Sequence, residues 1–142
     1  MRITDVLRRK GNSVVTISPT QSVRELLAAL ARHRVGALVV SGDGTQVDGI
    51  VSERDIVRRL HSDGDGVLDQ PVGEIMTIDV RTCDPDDTTD DLMSEMTQHR
   101  FRHVPVLLDG RLAGIVSIGD VVKYRLEELQ SERDQLTAYI TG

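Results

Sequence analysis

Two pairs of residues invite a chemical reading before anything else. Ser52 and Asp55 sit in the heptapeptide "GIVSERD", Gly49 to Asp55, and Ser117 and Asp120 sit in "GIVSIGD", Gly114 to Asp120. Ser-x-x-Asp at a helix start is first of all a capping box, in which the hydroxyl accepts from the third helical N–H and the carboxylate reaches back. Each copy also follows the apolar strand "GIV", so its Ser stands where a helix N-terminus presents free N–H groups and partial positive charge. That is an anion seat suited to phosphate. A carboxylate one turn in would repel a bare phosphate but accepts well from two adjacent hydroxyls, so Ser plus Asp reads as phosphate beside ribose.

The elements that position these pairs are written twice. Thr16 matches Thr82, Pro19 matches Pro85, His33 matches His99 and Gly44 matches Gly110 at an offset of 66, which drops to 65 at the heptapeptide. The change is one extra residue in the loop after Gly44, a usual site of insertion. Each half begins with a short strand, "VVTI" or "DVRTC", ended by a proline. An amphipathic helix follows, with Val23, Leu26, Leu27, Leu30 and Ala31 on one face behind Ser22, or Leu92, Met93 and Met96 within Thr88 to His99. Two β-branched runs around a Gly turn predict paired strands, and a second helix carries Ile56, Val57 and Leu60, or Val121, Val122 and Leu126, on its apolar side. Each unit is β-α-β-β-α and too small to bury both faces of its sheet, so two copies must pack face to face. The lead-ins "ITDVLRRKG" and "VGEIM" echo each other at an offset of 69, with Val6 opposite Ile75.

This pattern resembles a tandem pair of cystathionine-β-synthase (CBS) domains over residues 3 to 126, of the small stand-alone bacterial type. The carriers are "TISP" and "TCDP", "GALVV" and "RHVPV", and the two "GIVSxxD" heptapeptides. The resemblance implies an α/β (α+β) disc of two repeats related by a pseudo two-fold axis, with two clefts that bind adenosine ligands. It divides the chain into a first domain at 1–62, a linker at 63–71, a second domain at 72–126 and a helical extension at 127–142. It assigns Ser52 and Asp55 to one cleft and Ser117 and Asp120 to the other. Adenine would lie near Thr16 and Ile17 or near Thr82 and Cys83, with room left by Gly36 and Ala37 and walls at Val39 and Pro105. Arg54, Arg102 and His103 are candidate phosphate contacts, because guanidinium groups bind phosphate bidentately. Their counterparts are Gly119, Gly36 and Ala37, so unequal clefts are expected.

Other chemistry finds little support. His99 and His103 are spaced for a metal only if one helix carries both, and "RHVPV" reads as a strand. Asp86, Asp87, Asp90 and Asp91 complement a helix N-terminus and lack the Gly and terminal Glu of an EF-hand loop. No Ser-His-Asp order, Cys-His pair or P-loop is present, so the expected role is not enzymatic. A net charge of −6 and three aromatic residues disfavour nucleic acid. The lone Cys83 and the lack of a long apolar run fit a cytoplasmic protein without a membrane span.

After Asp120 no Gly or Pro appears until Gly142, so the last helix continues. Val122, Leu126, Leu129, Arg133, Leu136 and Ile140 fall four and three apart, a seam suited to a homodimer. The function expected from the whole is an adenine-nucleotide sensor for AMP, ADP or ATP that acts on an effector protein. NADH, S-adenosylmethionine and a cyclic dinucleotide remain open as ligands, as does an interaction module with vestigial clefts.

Overall fold

A computed structural model describes residues 1–11 and 13–141. The first half holds α1 (Ile3–Lys10), β1 (Thr16–Ile17), α2 (Val23–His33), β2 (Ala37–Val40), β3 (Gly49–Ser52) and α3 (Glu53–Asp63). Two 3-10 turns, Asp65–Asp69 and Val72–Glu74, lead to α4 (Thr89–His99), β4 (His103–Leu108), β5 (Arg111–Ser117) and α5 (Ile118–Thr141). β1 runs parallel to β2, and β2 pairs antiparallel with β3. β4 and β5 repeat that antiparallel pair, with Ala37↔Ser52 answered by His103↔Ser117. This is the mixed architecture of two β-α-β-β-α repeats and a long C-terminal helix that the repeat predicts.

The duplication shows in the caps as well. Ser22 accepts from the Glu25 N–H at the start of α2, and Thr88 accepts from the Asp91 N–H at the start of α4. Both helices end on an arginine in the left-handed region, Arg34 at φ 54° and Arg100 at φ 59°, each donating its N–H back to the helix. Glycine is the usual residue there, because a Cβ is disfavoured at positive φ.

Both predicted opening strands shrink, "VVTI" to Thr16–Ile17 and the second further still. "DVRTC" is reduced to a single parallel bridge between Cys83 and Val106, although the Cys83 N–H still reaches the Pro105 carbonyl at 3.0 Å. Pro105 has no N–H to give to the incoming strand, whereas its counterpart Val39 has one.

The lead-ins exchange places. The Ile3 and Thr4 N–H groups bond the Asp87 and Pro85 carbonyls of the second half, and the Val72 and Gly73 N–H groups bond the Gln21 and Pro19 carbonyls of the first. The burial follows the same crossing. Ile3, Val6 and Leu7 complete the core built by Leu92, Met96, Val104, Val106 and Val116, while Val67, Val72 and Ile75 complete the core around Leu26, Leu38, Val40 and Val51. The stretch expected to be a linker therefore also contributes to a core, through Val67, fully buried.

The glycines that open both heptapeptides are required by this crossing. A Cβ on Gly49 would stand 2.7 Å from Met76 Sδ and 2.8 Å from the Thr77 carbonyl oxygen, and one on Gly114 would stand 2.6 Å from Leu7 Cδ2. Each lead-in thus passes directly over the strand that ends in Ser52 or Ser117.

Five positions expected on apolar faces are exposed instead: Leu27, Ala31, Val57, Val122 and Leu126. In α5, Val121 and Tyr124 turn inward, and every described residue from Gln130 onward is exposed. The helix leaves the domain surface there, which the periodicity alone did not reveal.

Candidate functional site

Strand alternation sorts the predicted site residues into two groups. Leu38 and Val40 enter the first core, so Ala37 and Val39 face the other way, toward the second half. Val104 and Val106 do the same in β4, leaving His103 and Pro105 on the facing side. His103 comes within 4 Å of the space a Gly36 side chain would occupy. The two repeats meet at this line, and a cleft of about 440 Å³ opens beside it.

Of the predicted residues, the cleft wall contains Ala37, Ser52, Arg54, Asp55, Arg102 and His103. Gly36 lies next to it, against His103. Thr16 and Ile17 are placed on β1, with Ile17 in the first core, and Val39 and Pro105 are buried. Thr82 is exposed, and the Cys83 side chain enters the second core. Burial, with Asp87 and Asp84 nearby, pushes the Cys83 thiol up to about 12, so it is protonated and unreactive at neutral pH.

The wall also holds residues that the sequence did not single out: Thr77, Asp79, Val80, Arg81, Arg100 and Phe101. Thr77 is brought in by a two-way backbone pairing with Ile50, at 2.9 and 3.0 Å. Phe101 stacks on His99 at 6.3 Å between ring centroids, and the Arg81 guanidinium lies 6.0 Å from its ring. The repeat held one usable signal, since Phe101 stands where the first half has Val35, ahead of the strand. His99 belongs to α4 and His103 to β4, and among the described residues no group of three His, Cys, Asp or Glu is arranged to hold a metal.

Asp55 satisfies the capping reading and remains available to a ligand. Its Oδ2 accepts from the Ser52 N–H at 2.8 Å and the Ser52 hydroxyl at 3.1 Å, while the Ser52 Oγ accepts from the Asp55 N–H at 3.3 Å. Among the described residues Oδ1 has no hydrogen-bond partner and no cation pairs with the carboxylate.

The second pair is in a different state. Asp120 Oδ2 accepts from the Ser117 N–H at 3.0 Å and from Lys10 Nζ at 2.7 Å, and the same Nζ donates to the Ile115 carbonyl at 2.7 Å. Burial raises the Asp120 carboxyl, but the Lys10 and Ser117 bonds outweigh it and hold the group below the ordinary carboxylate value. Burial, joined by the charge of Lys10, lowers His103 below the usual imidazole value against the pull of Asp120 and Glu53. His103 is neutral at pH 7, standing between the two Asp sites.

Arg54, Arg81, Arg100 and Arg102 dominate the charge of the open cleft. None forms an ion pair among the described residues, whereas eight other Lys and Arg side chains do. Against Asp55 and Asp79 the wall is net positive, an arrangement that attracts an anion while keeping one carboxylate for a hydroxyl-bearing group.

The chain is 36% identical over 148 residues to the mitochondrial CBS domain-containing protein CBSX3 of Arabidopsis thaliana, covering 99% of this chain and 72% of that one. It is 34% identical over 109 residues to the CBS domain-containing protein YhcV of Bacillus subtilis, covering 76% of each. The CBS-domain containing protein ATU1752 of Agrobacterium tumefaciens superposes with a TM-score of 0.84 at 49% identity, over 88% of this chain and 99% of that one. The CBS domain pair of protein MJ0100, solved with 5′-methylthioadenosine and S-adenosylmethionine, superposes at 0.78 with 25% identity, over 90% of this chain and 98% of that one. A family model for the CBS domain matches residues 3–62 and again 72–127, one match for each heptapeptide and its sheet, and the chain belongs to the CBS domain family as a tandem pair.

Proposed function

We propose that the cleft bearing Asp55 binds an adenine nucleotide, AMP, ADP or ATP, and that the pair reports its occupancy to an effector on another chain. The observation that carries this reading is the four unpaired guanidinium groups gathered around a carboxylate with one free oxygen. The phosphates go to Arg54, Arg81, Arg100 and Arg102 and to the N-terminus of α3, and the ribose hydroxyls go to Asp55. Phe101 and the apolar strand face at Ala37 and Ile50 accept the base. A volume of about 440 Å³ lies within the range of small-molecule sites.

The adenosine ligands in the MJ0100 structure support the nucleoside part of this reading. Charge supports the phosphate part, because the sulfonium and ammonium of S-adenosylmethionine would meet the same arginines unfavourably. A ligand that signals must favour one arrangement of the two halves over another, and this cleft lies where the halves meet. The reading includes a homodimer. Val122, Leu126, Leu129, Leu136 and Ile140 are all exposed along α5, and their heptad register fits a second copy of the same helix.

Thermal unfolding with AMP, ADP, ATP and S-adenosylmethionine tests the proposal. A nucleotide at about 100 times its Kd adds about 2.7 kcal/mol to the stability of the folded state. Stabilisation by the phosphorylated ligands, lost in Asp55→Ala, is the expected result. A folded protein indifferent to all four would instead assign the Ser-Asp pairs to capping alone, and the chain to an interaction module.

A further inference from the structure

The two heptapeptides differ in what covers them. Over the first, the Ile50 carbonyl takes the Thr77 backbone N–H, and among the described residues no cation pairs with Asp55. Over the second, the equivalent Ile115 carbonyl takes the Lys10 ammonium, which also lies 2.7 Å from Asp120 Oδ2. Lys10 is the last residue of α1, which is fixed on the second half by Ile3, Val6 and Leu7. The ammonium is therefore delivered by a helix docked on the second half through its buried face, and the side chains of Lys10 and Asp120 are 31% and 22% exposed. At the position of Arg54 the second copy has Gly119, so no guanidinium stands ready there to bind phosphate.

We infer that Lys10 acts as a tethered occupant of the Asp120 seat, closing the second cleft so that the chain takes nucleotide in the Asp55 cleft alone. This rests on the proposed nucleotide reading for its ligand but not for the latch itself. A diol approaching Asp120 must compete with an ammonium held at high effective concentration, and the intrinsic affinity is reduced by the fraction of chains whose latch is open. Lys10 thereby becomes a specificity-determining residue that makes two copies of one motif functionally unequal.

The chain's only two lysines, Lys10 and Lys123, allow the latch to be read without any nucleotide. In the intact protein, acetylation by an N-hydroxysuccinimide ester followed by mass spectrometry should find Lys10 about tenfold slower than the exposed Lys123. Asp120→Asn should release Lys10 to the rate of Lys123. Equal rates in the wild type, or no response to Asp120→Asn, would overturn the latch. ATP titration by calorimetry then reads the consequence. The wild type should take up about one ATP per chain and Lys10→Met about two, with Lys10→Gln as a second variant should Met alter folding. Two equivalent sites in the wild type, or weaker binding in both Lys10 variants, would show Lys10 to be no barrier. If ATP binds neither wild type nor variant, the nucleotide reading fails, while the acetylation rates still decide whether Lys10 is latched.

Discussion

At the end of β3 the carboxylate of Asp55 faces a cleft ringed with arginine, and at the end of β5 the carboxylate of Asp120 faces the ammonium of Lys10. The backbone around the two is nearly the same: each Asp accepts from its Ser N–H three residues earlier, at 2.8 and 3.0 Å, and each Ser Oγ caps the helix. What differs is the segment laid across each heptapeptide. The lead-in over the first is extended backbone at Thr77, and the lead-in over the second is a helix that ends in a lysine. A duplicated motif therefore keeps its local geometry while its chemistry is set by the other half of the chain.

That contrast is broken most directly at the carboxylates. Asp55→Asn retains an acceptor for the cap but loses the charge, and charge-assisted hydrogen bonds contribute about 1.5–3 kcal/mol each. Nucleotide affinity should fall on the order of 100-fold by calorimetry if two such bonds are weakened. Asp120→Asn should leave affinity at the first cleft unchanged, and an equal loss in both variants would dissolve the distinction.

Next in size are the crossing points. Gly49→Ala drives a Cβ into the fixed carbonyl of Thr77, whereas Gly114→Ala meets only the flexible end of Leu7. Overpacking costs about 1–3 kcal/mol, so urea denaturation should find Gly49→Ala at the upper end and Gly114→Ala at the lower. The reverse order would mean that the first lead-in, α1, is the more rigid of the two.

The caps offer a comparison on equal terms. Ser52→Ala and Ser117→Ala each remove one N-cap acceptor and should each cost about 1 kcal/mol in the same measurement. A much larger loss at Ser117 would indicate that its cap also supports the Lys10 contact.

Acidification sharpens the contrast with the least effect. Asp120 has its carboxyl held below the ordinary value, so its contribution to stability is present above the unfolded-state pKa and is lost as pH falls through the folded one. His103, lowered in the folded state, acts in the same sense over a higher window: it is neutral above about 6.5, and stability declines as pH drops from there through its depressed pKa. Two separate steps in stability against pH are expected, and Lys10→Met should shrink the lower one. A lower step unaffected by Lys10→Met would detach Asp120 from the lysine.

Much of the fold was legible because it rests on local chemistry. The helices from Val23 and Thr89 have their apolar spacing and their Ser22 and Thr88 caps written in the sequence, and the strand pairs follow from β-branched runs around Gly turns. The Ser52–Asp55 box was equally legible, since both partners lie within one helical turn. Errors arose where a long-range partner decided. Val57 and Leu126 fit an apolar face by period, yet among the described residues no element covers them.

The sequence by itself determined that there are two similar sheets, four helices of matching register and a carboxylate at the mouth of each strand-to-helix turn, because hydrophobic period and capping act over a few residues. Only the tertiary structure decided that each lead-in would dock on the opposite half, that Arg81, Arg100 and Phe101 would gather with Arg54 and Asp55, and that Lys10 would reach Asp120. These pairings span from about twenty to more than a hundred residues of chain. They are selected by which buried faces fit together, a global packing condition that no local pattern of residues encodes.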